Sequence, residues 1–307
     1  MKKLIKYFLS HPFHNRVKYI IFFCLAALII YFLIAASFKY NDISSLAELF
    51  DYNLLLFIGA GFIAQLIDGA LGMAYGVSCT SLLLGLNIAP AVASASVHVS
   101  EVFTAGASGI SHLSFKNIHK KLFLRLVFFG VAGGILGAWF LSGIVNGNYI
   151  KPFISAYLLV LGVIIFRRAF LKFKQKGEIK KVGLLAVVGG FMDSVGGGGW
   201  GPIVTTNLIH KGSNPRRTIG TVNIAEFFVA LASSGVFVAM VGTTSIKTIL
   251  GLIIGGVAAA PLAAYVVKKV NYRYMLATVG LLISALSIYN LVNSWKHLVE
   301  LAQRVCL

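Results

Sequence analysis

Four of the nine acidic residues stand in apolar surroundings: Asp68, Glu101, Asp193 and Glu226. The other five, Asp42, Glu48, Asp51, Glu178 and Glu300, fall in polar loops or near the end of the chain. A charge at the centre of a bilayer costs about 2.5–3.5 kcal/mol on insertion scales, so acids in such stretches usually face a cavity and serve function. The four form two pairs. Asp68 and Asp193 are 125 residues apart, as are Glu101 and Glu226, and the same offset lays Gly72 on Gly197, Gly76 on Gly201, Thr80 on Thr205 and Pro90 on Pro215 without a gap. Tyr75 meets Trp200, an aromatic for an aromatic. Apolar sequence aligns with itself easily, but Asp, Glu and Pro are rare here, and their joint recurrence marks an internal repeat.

Each Asp of the first pair opens a glycine-rich break in an apolar stretch. The first break reads Asp68-Gly69-Ala70-Leu71-Gly72-Met73-Ala74-Tyr75-Gly76, the second Asp193-Ser194-Val195-Gly196-Gly197-Gly198-Gly199-Trp200-Gly201-Pro202. Two roles are open to these aspartates: capping a half-helix, which Asp does well, or touching a ligand. Glycines allow close backbone approach, and a half-helix N-terminus offers an anion free N–H groups and a partial positive charge. The candidate binding set is therefore Asp68, Gly72, Tyr75, Gly76 and Thr80 from the first break, with Asp193, Gly196, Gly197, Gly198, Gly199, Trp200, Gly201 and Thr205 from the second. Tyr75 and Trp200 are the expected cavity walls. The competing reading of a membrane glycine is tight helix packing, which suits Gly133-Gly134 and Gly255-Gly256 in unbroken helices.

Glu101 and Glu226 fall inside long helices, where no capping role exists. Ser94 and His98 share a helical face with Glu101, and Asn223 takes the place of His98 in the second half and joins the binding set. A histidine beside a carboxylate can change charge near neutral pH and relay protons; the plainer alternative is a core histidine held by a hydrogen bond. Glu101, Glu226 and His98 are the proton-coupling candidates. Single acids spread so far along the chain form no recognisable metal box, and neither metal nor other cofactor is expected. Cys24, Cys79 and Cys306 are odd in number with no CxxC, which indicates neither a disulfide framework nor a zinc site.

These residues require a membrane around them. The 307-residue chain is 58% hydrophobic and 12% charged, with mean hydropathy +0.87, whereas a soluble domain carries about a quarter charged residues. The net charge of +18 would suggest nucleic acid on a soluble protein, but here the basic residues cluster between apolar runs. Segments 1–18, 116–125, 167–181, 211–217 and 268–273 hold 22 of the 27 Lys and Arg, the pattern of cytoplasmic loops. The first apolar run, Tyr19 to Phe38, spans about 20 residues and reads as a retained anchor helix rather than a cleaved signal, although Ala35-Ala36-Ser37 imitates a cleavage site. Placing all the basic segments on one side requires each broken stretch, at 54–86 and 182–210, to return to the side it left. Each is then a re-entrant hairpin or a pair of short helices. The expected fold is an all-α integral membrane protein of the cell membrane, multi-pass with a cytoplasmic N-terminus. It comprises an N-terminal segment with an extra transmembrane helix (1–50), repeat 1 (51–175), repeat 2 (176–293) and a tail (294–307). The repeats are inverted, each with one hairpin and three transmembrane helices, a plan common among secondary transporters.

The breaks from Ala64 to Met73 and from Gly189 to Pro202, with the helices after them from Pro90 to Ser108 and Pro215 to Ser233, resemble the sulfite exporter TauE/SafE family of membrane permeases. The resemblance covers about residues 52–293 and implies transport of sulfite or of organosulfonates such as sulfoacetate and sulfolactate, outward in some members and inward in others. Its motif residues here are Asp68, Gly72, Gly76, Pro90, Glu101 and their second-half counterparts. The chain departs from the pattern in its extra N-terminal helix, in His98 opposite Asn223 and in a first break poorer in glycine. The expected activity is thus secondary transport of a small sulfur-containing anion, proton-coupled, in contact with membrane lipid and without nucleic acid. A divalent-cation carrier built on the buried carboxylates and His98 is the alternative. An intramembrane enzyme is the remote one: the chain has no GxSxG, no HExxH and, against ATP drive, no GxxxxGK[ST].

Overall fold

The computed structural model describes residues 13–39, 50–71, 73–114, 117–145, 147–171, 181–210, 215–242, 246–269 and 272–305, and every regular element among them is a helix. In chain order these are α1 (Phe13–Lys39), α2 (Tyr52–Leu71), α3 (Tyr75–Gly85), α4 (Pro90–Ser114), α5 (Lys120–Trp139), α6 (Gly147–Arg168), α7 (Val182–Gly196), α8 (Thr206–His210), α9 (Pro215–Val241), α10 (Ile246–Lys269) and α11 (Tyr272–Val305). A wide π turn extends α5 over Phe140–Ile144, and another, Gly201–Thr205, leads into α8. The last helix runs on through the segment expected to be a tail.

Five stretches among the described residues are long and apolar enough to cross a membrane: Phe13–Tyr31, Lys120–Ile144, Tyr149–Arg168, Arg217–Val241 and Arg273–Lys296. Helix α4 has 25 residues but falls outside that set for a physical reason. One side of it carries Ser94, His98, Glu101 and Thr104, all buried, so it is an inner helix whose polar residues point into the protein. Apolar side chains such as Phe128, Phe153, Phe170 and Leu281 are exposed instead, as a lipid-facing exterior requires.

Both breaks fall where the glycines lie. The first separates α2 from α3, and the second separates α7 from the π turn before α8. The packing of the halves is reciprocal: α2 lies along α10 while α7 lies along α5, α4 packs on α9 and α6 on α11. Gly106 faces Phe227 whereas Gly109 faces Ile224, so α4 and α9 run antiparallel. Likewise Gly162 meets Ser284 while Gly280 meets Phe166, and α6 and α11 run antiparallel too. Small residues set these distances. A Cβ on Gly255 would lie 2.7 Å from the Phe62 nitrogen, one on Gly256 2.9 Å from Thr104 Cγ2, and one on Gly134 3.1 Å from Val229 Cγ1. These glycines pack helix against helix, as expected of them.

Candidate functional site

The two breaks share one piece of architecture. Asp68 Oδ1 accepts from the backbone N–H of Ala74 at 2.7 Å and of Tyr75 at 3.3 Å. Asp193 Oδ1 accepts from the N–H of Trp200 at 2.8 Å. Tyr75 and Trp200 are repeat partners, so the same bond, reaching seven residues ahead, occurs in both halves. Each aspartate caps the half-helix that follows its break, satisfying an amide that helix geometry leaves free. The Asp193 carbonyl also accepts from the amides of Gly197 and Gly198, with Gly197 in the left-handed conformation (φ +63°) that ends α7. Two amides of the glycine run, and that of Trp200 just after it, are thus bonded to Asp193 rather than open to a ligand.

The breaks also touch each other. A Cβ on Gly76 would lie 2.8 Å from Gly198 Cα and 3.0 Å from the Gly197 oxygen. Thr80 Oγ1 donates to that Gly197 oxygen, and Tyr157 Oη of α6 donates to the Gly198 oxygen at 3.2 Å. Gly198 and Gly199 have φ of +156° and +154°, which side-chain-bearing residues rarely adopt. Gly196 lies against the Tyr157 ring and Gly201 against Met73. Gly72 lies outside the described residues.

The aromatic pair divides its roles. Tyr75 lines an internal cavity and donates from Oη to Ser100 Oγ at 3.0 Å. Trp200 is fully buried against Gly130 and Gly189, its Nε1 donating to the Val222 oxygen at 3.3 Å; it fills the core of the second half instead of walling the cavity. Thr205 is buried, with no partner for its hydroxyl.

His98 reaches across to the second break. Its Nδ1 is 2.8 Å from the Ser94 carbonyl oxygen, which can only accept, so Nδ1 carries a hydrogen. Its Nε2 then faces Asp193 Oδ2 at 3.3 Å, both groups buried. Ser94 Oγ donates to the Ser194 oxygen at 2.6 Å, a second tie between α4 and α7. Glu101 is buried beside this pair, and its Oε2 has no hydrogen-bond partner. Donor atoms of His98, Glu101 and Asp193 lie within 4.8 Å of one another, a set that could hold a divalent cation. Sequence spacing gave no sign of it, because Asp193 comes from the other half of the chain.

Glu101 also borders the internal cavity, with Asp68, Tyr75, Ser108, Asn223 and Glu226. Asn223 Nδ2 donates there to Ser108 Oγ at 3.1 Å. The cavity is about 10 Å³, room for about one water. Of the residues expected to act together, Asp68, Tyr75, Asn223, Glu101 and Glu226 meet at this cavity, while His98 and Asp193 adjoin it through Glu101. Tyr157, which holds the second break, escaped sequence reasoning; a lone hydroxyl in an apolar run was its only signal.

Broken helices capped by aspartates, an interior cavity lined by carboxylates and an apolar exterior define a multi-pass integral membrane protein. The family profile "Sulfite exporter TauE/SafE" matches residues 57–290, and the chain belongs to that family. It is 43% identical over 253 residues to the "Probable membrane transporter protein YtnM" of Bacillus subtilis (strain 168), an alignment covering 79% of this chain and 84% of that protein. No solved structure matches it. The chain is a membrane transporter.

Proposed function

We propose that this transporter carries a small sulfur-containing anion, sulfite or an organosulfonate, together with protons. The observation that carries the reading is the cavity where the first break meets α4 and α9, bordered by Asp68, Glu101 and Glu226 with no Lys or Arg on its walls. Ionised, these carboxylates repel an anion; protonated, they donate hydrogen bonds to it. An anion that binds there therefore arrives with protons. Glu101 and Glu226 are the carriers, with His98 as a relay to Glu101. Tyr75, Thr80, Thr205 and Asn223 add neutral donors, and Asp68 and Asp193 hold the breaks in shape. A space of about 10 Å³ admits no sulfite, so the breaks part to bind cargo, exposing the backbone of Gly72, Gly76, Gly196 to Gly199, Trp200 and Gly201. Reciprocal pairing of the halves, with α4 antiparallel to α9 and α6 to α11, supports inverted repeats related by an axis in the membrane plane. The basic segments support a cytoplasmic N-terminus.

A second reading, divalent-cation transport, is favoured by the donor set of His98, Glu101 and Asp193. Proteoliposomes separate the two. Under the first, an imposed sulfite or sulfoacetate gradient acidifies the lumen, and Glu101→Gln or Glu226→Gln abolishes the acidification while substrate binding persists. Undiminished, pH-sensitive coupling in both variants removes the glutamates from the mechanism. Uptake of Zn²⁺ that is lost in His98→Ala, with no response to any sulfur anion, establishes the second reading in place of the first.

A further inference from the structure

A second and roomier opening lies away from the acidic cavity, at the other end of α3. It is a pocket of about 380 Å³ where the turn from α3 to α4 meets the start of α6 and the side of α11. Asn87, Lys151, Asn293 and Ser294 are its polar walls, and no acid is among them. Lys151 Nζ donates to Asn87 Oδ1 at 3.2 Å, leaving two of its three N–H donors for another partner. Asn87 is the one non-glycine residue with positive φ (60°) among the described residues. It is pinned there by bonds from its own N–H to the Leu84 oxygen and from Ile88 to Leu83.

A left-handed asparagine is an ordinary helix cap, and that leaves the lysine unexplained. Lys247, also near the start of its helix, has a carboxylate in Asp51 at 2.9 Å; Lys151 has none among the described residues. A polar track leads inward from the pocket. Ser294, Asn290 and Ser287 fall on one face of α11, and Asn290 Nδ2 donates to the Ser81 oxygen of α3 at 2.9 Å. The hydroxyls of Ser287, Ser81 and Ser78 are buried and have no hydrogen-bond partner. Unpaired buried hydroxyls call for an explanation such as passing water or ligand, and Ser78 lies three residues from Tyr75 at the first break.

We infer that this pocket is an oxyanion vestibule: Lys151, held by Asn87, binds a small sulfonate- or sulfite-like anion, and the serines of α3 and α11 form its route towards the breaks. The vestibule supplies the positive charge that the acidic cavity lacks. It rests on the anion reading above for its cargo, but its charge preference is measurable without transport.

The test uses the full chain in detergent with Asn293→Cys as a reporter, subtracting the labelling of the native cysteines. Two thiol reagents of similar size are compared, anionic 2-sulfonatoethyl methanethiosulfonate and its cationic trimethylammonium analogue, with Tyr52→Cys as the exposed reference. The anionic reagent is expected to be favoured at Asn293→Cys by about tenfold over the reference, within the range by which local fields concentrate ions. Lys151→Gln removes the preference, Lys151→Glu inverts it and Lys151→Arg keeps it. Methanesulfonate slows labelling only where the cation is present. An unchanged preference in correctly folded Lys151→Gln and Lys151→Glu overturns the vestibule. Anionic preference without any sulfonate or sulfite transport sinks the cargo reading and leaves the vestibule standing.

Discussion

Replacing Gly76 by alanine places a methyl group between the two breaks. The new Cβ would lie 2.8 Å from Glu101 Oε1, 2.8 Å from Gly198 Cα and 3.0 Å from the Gly197 oxygen. The glutamate can swing aside; the backbone at Gly198 cannot, since it is held by Asp193 and Tyr157. Inserting a methyl into a filled site typically costs about 1–3 kcal/mol. Exchanging helical glycine for alanine returns at most about 1 kcal/mol, so the closed arrangement is expected to lose up to about 2 kcal/mol, and 1–2 kcal/mol of that kind is a factor of about 5–30 in an equilibrium. If the breaks must part and rejoin in each cycle, that factor falls on the balance between parted and closed forms. The assay pairs thermal melting in detergent with initial uptake in proteoliposomes, using Gly59→Ala as control because its Cβ would meet nothing within 4 Å. Gly76→Ala should melt lower and change uptake by about 5–30-fold, while Gly59→Ala should do neither. Identical behaviour of the two variants would refute the claim that the closed state depends on backbone contact between the breaks.

Two further outcomes test the caps and the Lys247–Asp51 ion pair. Asp193→Asn keeps a carbonyl to accept from Trp200, whereas Asp193→Ala loses the cap, worth about 0.5–2 kcal/mol; the Ala variant should melt below the Asn variant, and equal melting would remove capping from the account. Asp51 is held down to about 2 by the hydrogen bond from Lys247 and then by the Leu54 amide. A folded-state value below the unfolded one stabilises above the ordinary carboxylate range and is lost as pH falls through it. The melting difference between the wild-type chain and Asp51→Asn should therefore shrink between about pH 4 and pH 2, and a difference that grows on acidification would contradict the pairing.

The breaks, the aspartates and the repeat are legible in the sequence because carboxylates and glycine runs are conspicuous in apolar surroundings. Helix α4 is also legible as a polar stripe, since a periodicity of three and four places Ser94, His98 and Glu101 on one side. Periodicity identifies the side and says nothing of what faces it. Spacing pairs His98 with the glutamate three residues on; in space its Nε2 meets Asp193 at 3.3 Å, ninety-five residues away. Glycine composition is ambiguous in the same way. The run at Gly196 to Gly199 reads as amides awaiting a ligand, but the amides of Gly197 and Gly198 turn to Asp193 and the backbone of Gly198 packs on Gly76.

The mismatch between the halves at His98 and Asn223 explains where the cavity lies. In the second half the break aspartate faces an imidazole long enough to reach it, and His98 fills the space between α4 and Asp193. At the related place in the first half, Asn223 turns its amide to Ser108, and Asp68, Asn223 and Glu226 are left bordering open space. An exchange of side chain should therefore move the space. Asn223→His would carry an imidazole towards Asp68 and close the cavity, and His98→Asn would open a second one beside Asp193. If binding needs the cavity beside Asp68, Asn223→His weakens cargo binding while His98→Asn spares it. The reverse ranking, measured as substrate-induced shifts in melting temperature, would place binding at the His98–Asp193 side and make the open cavity incidental.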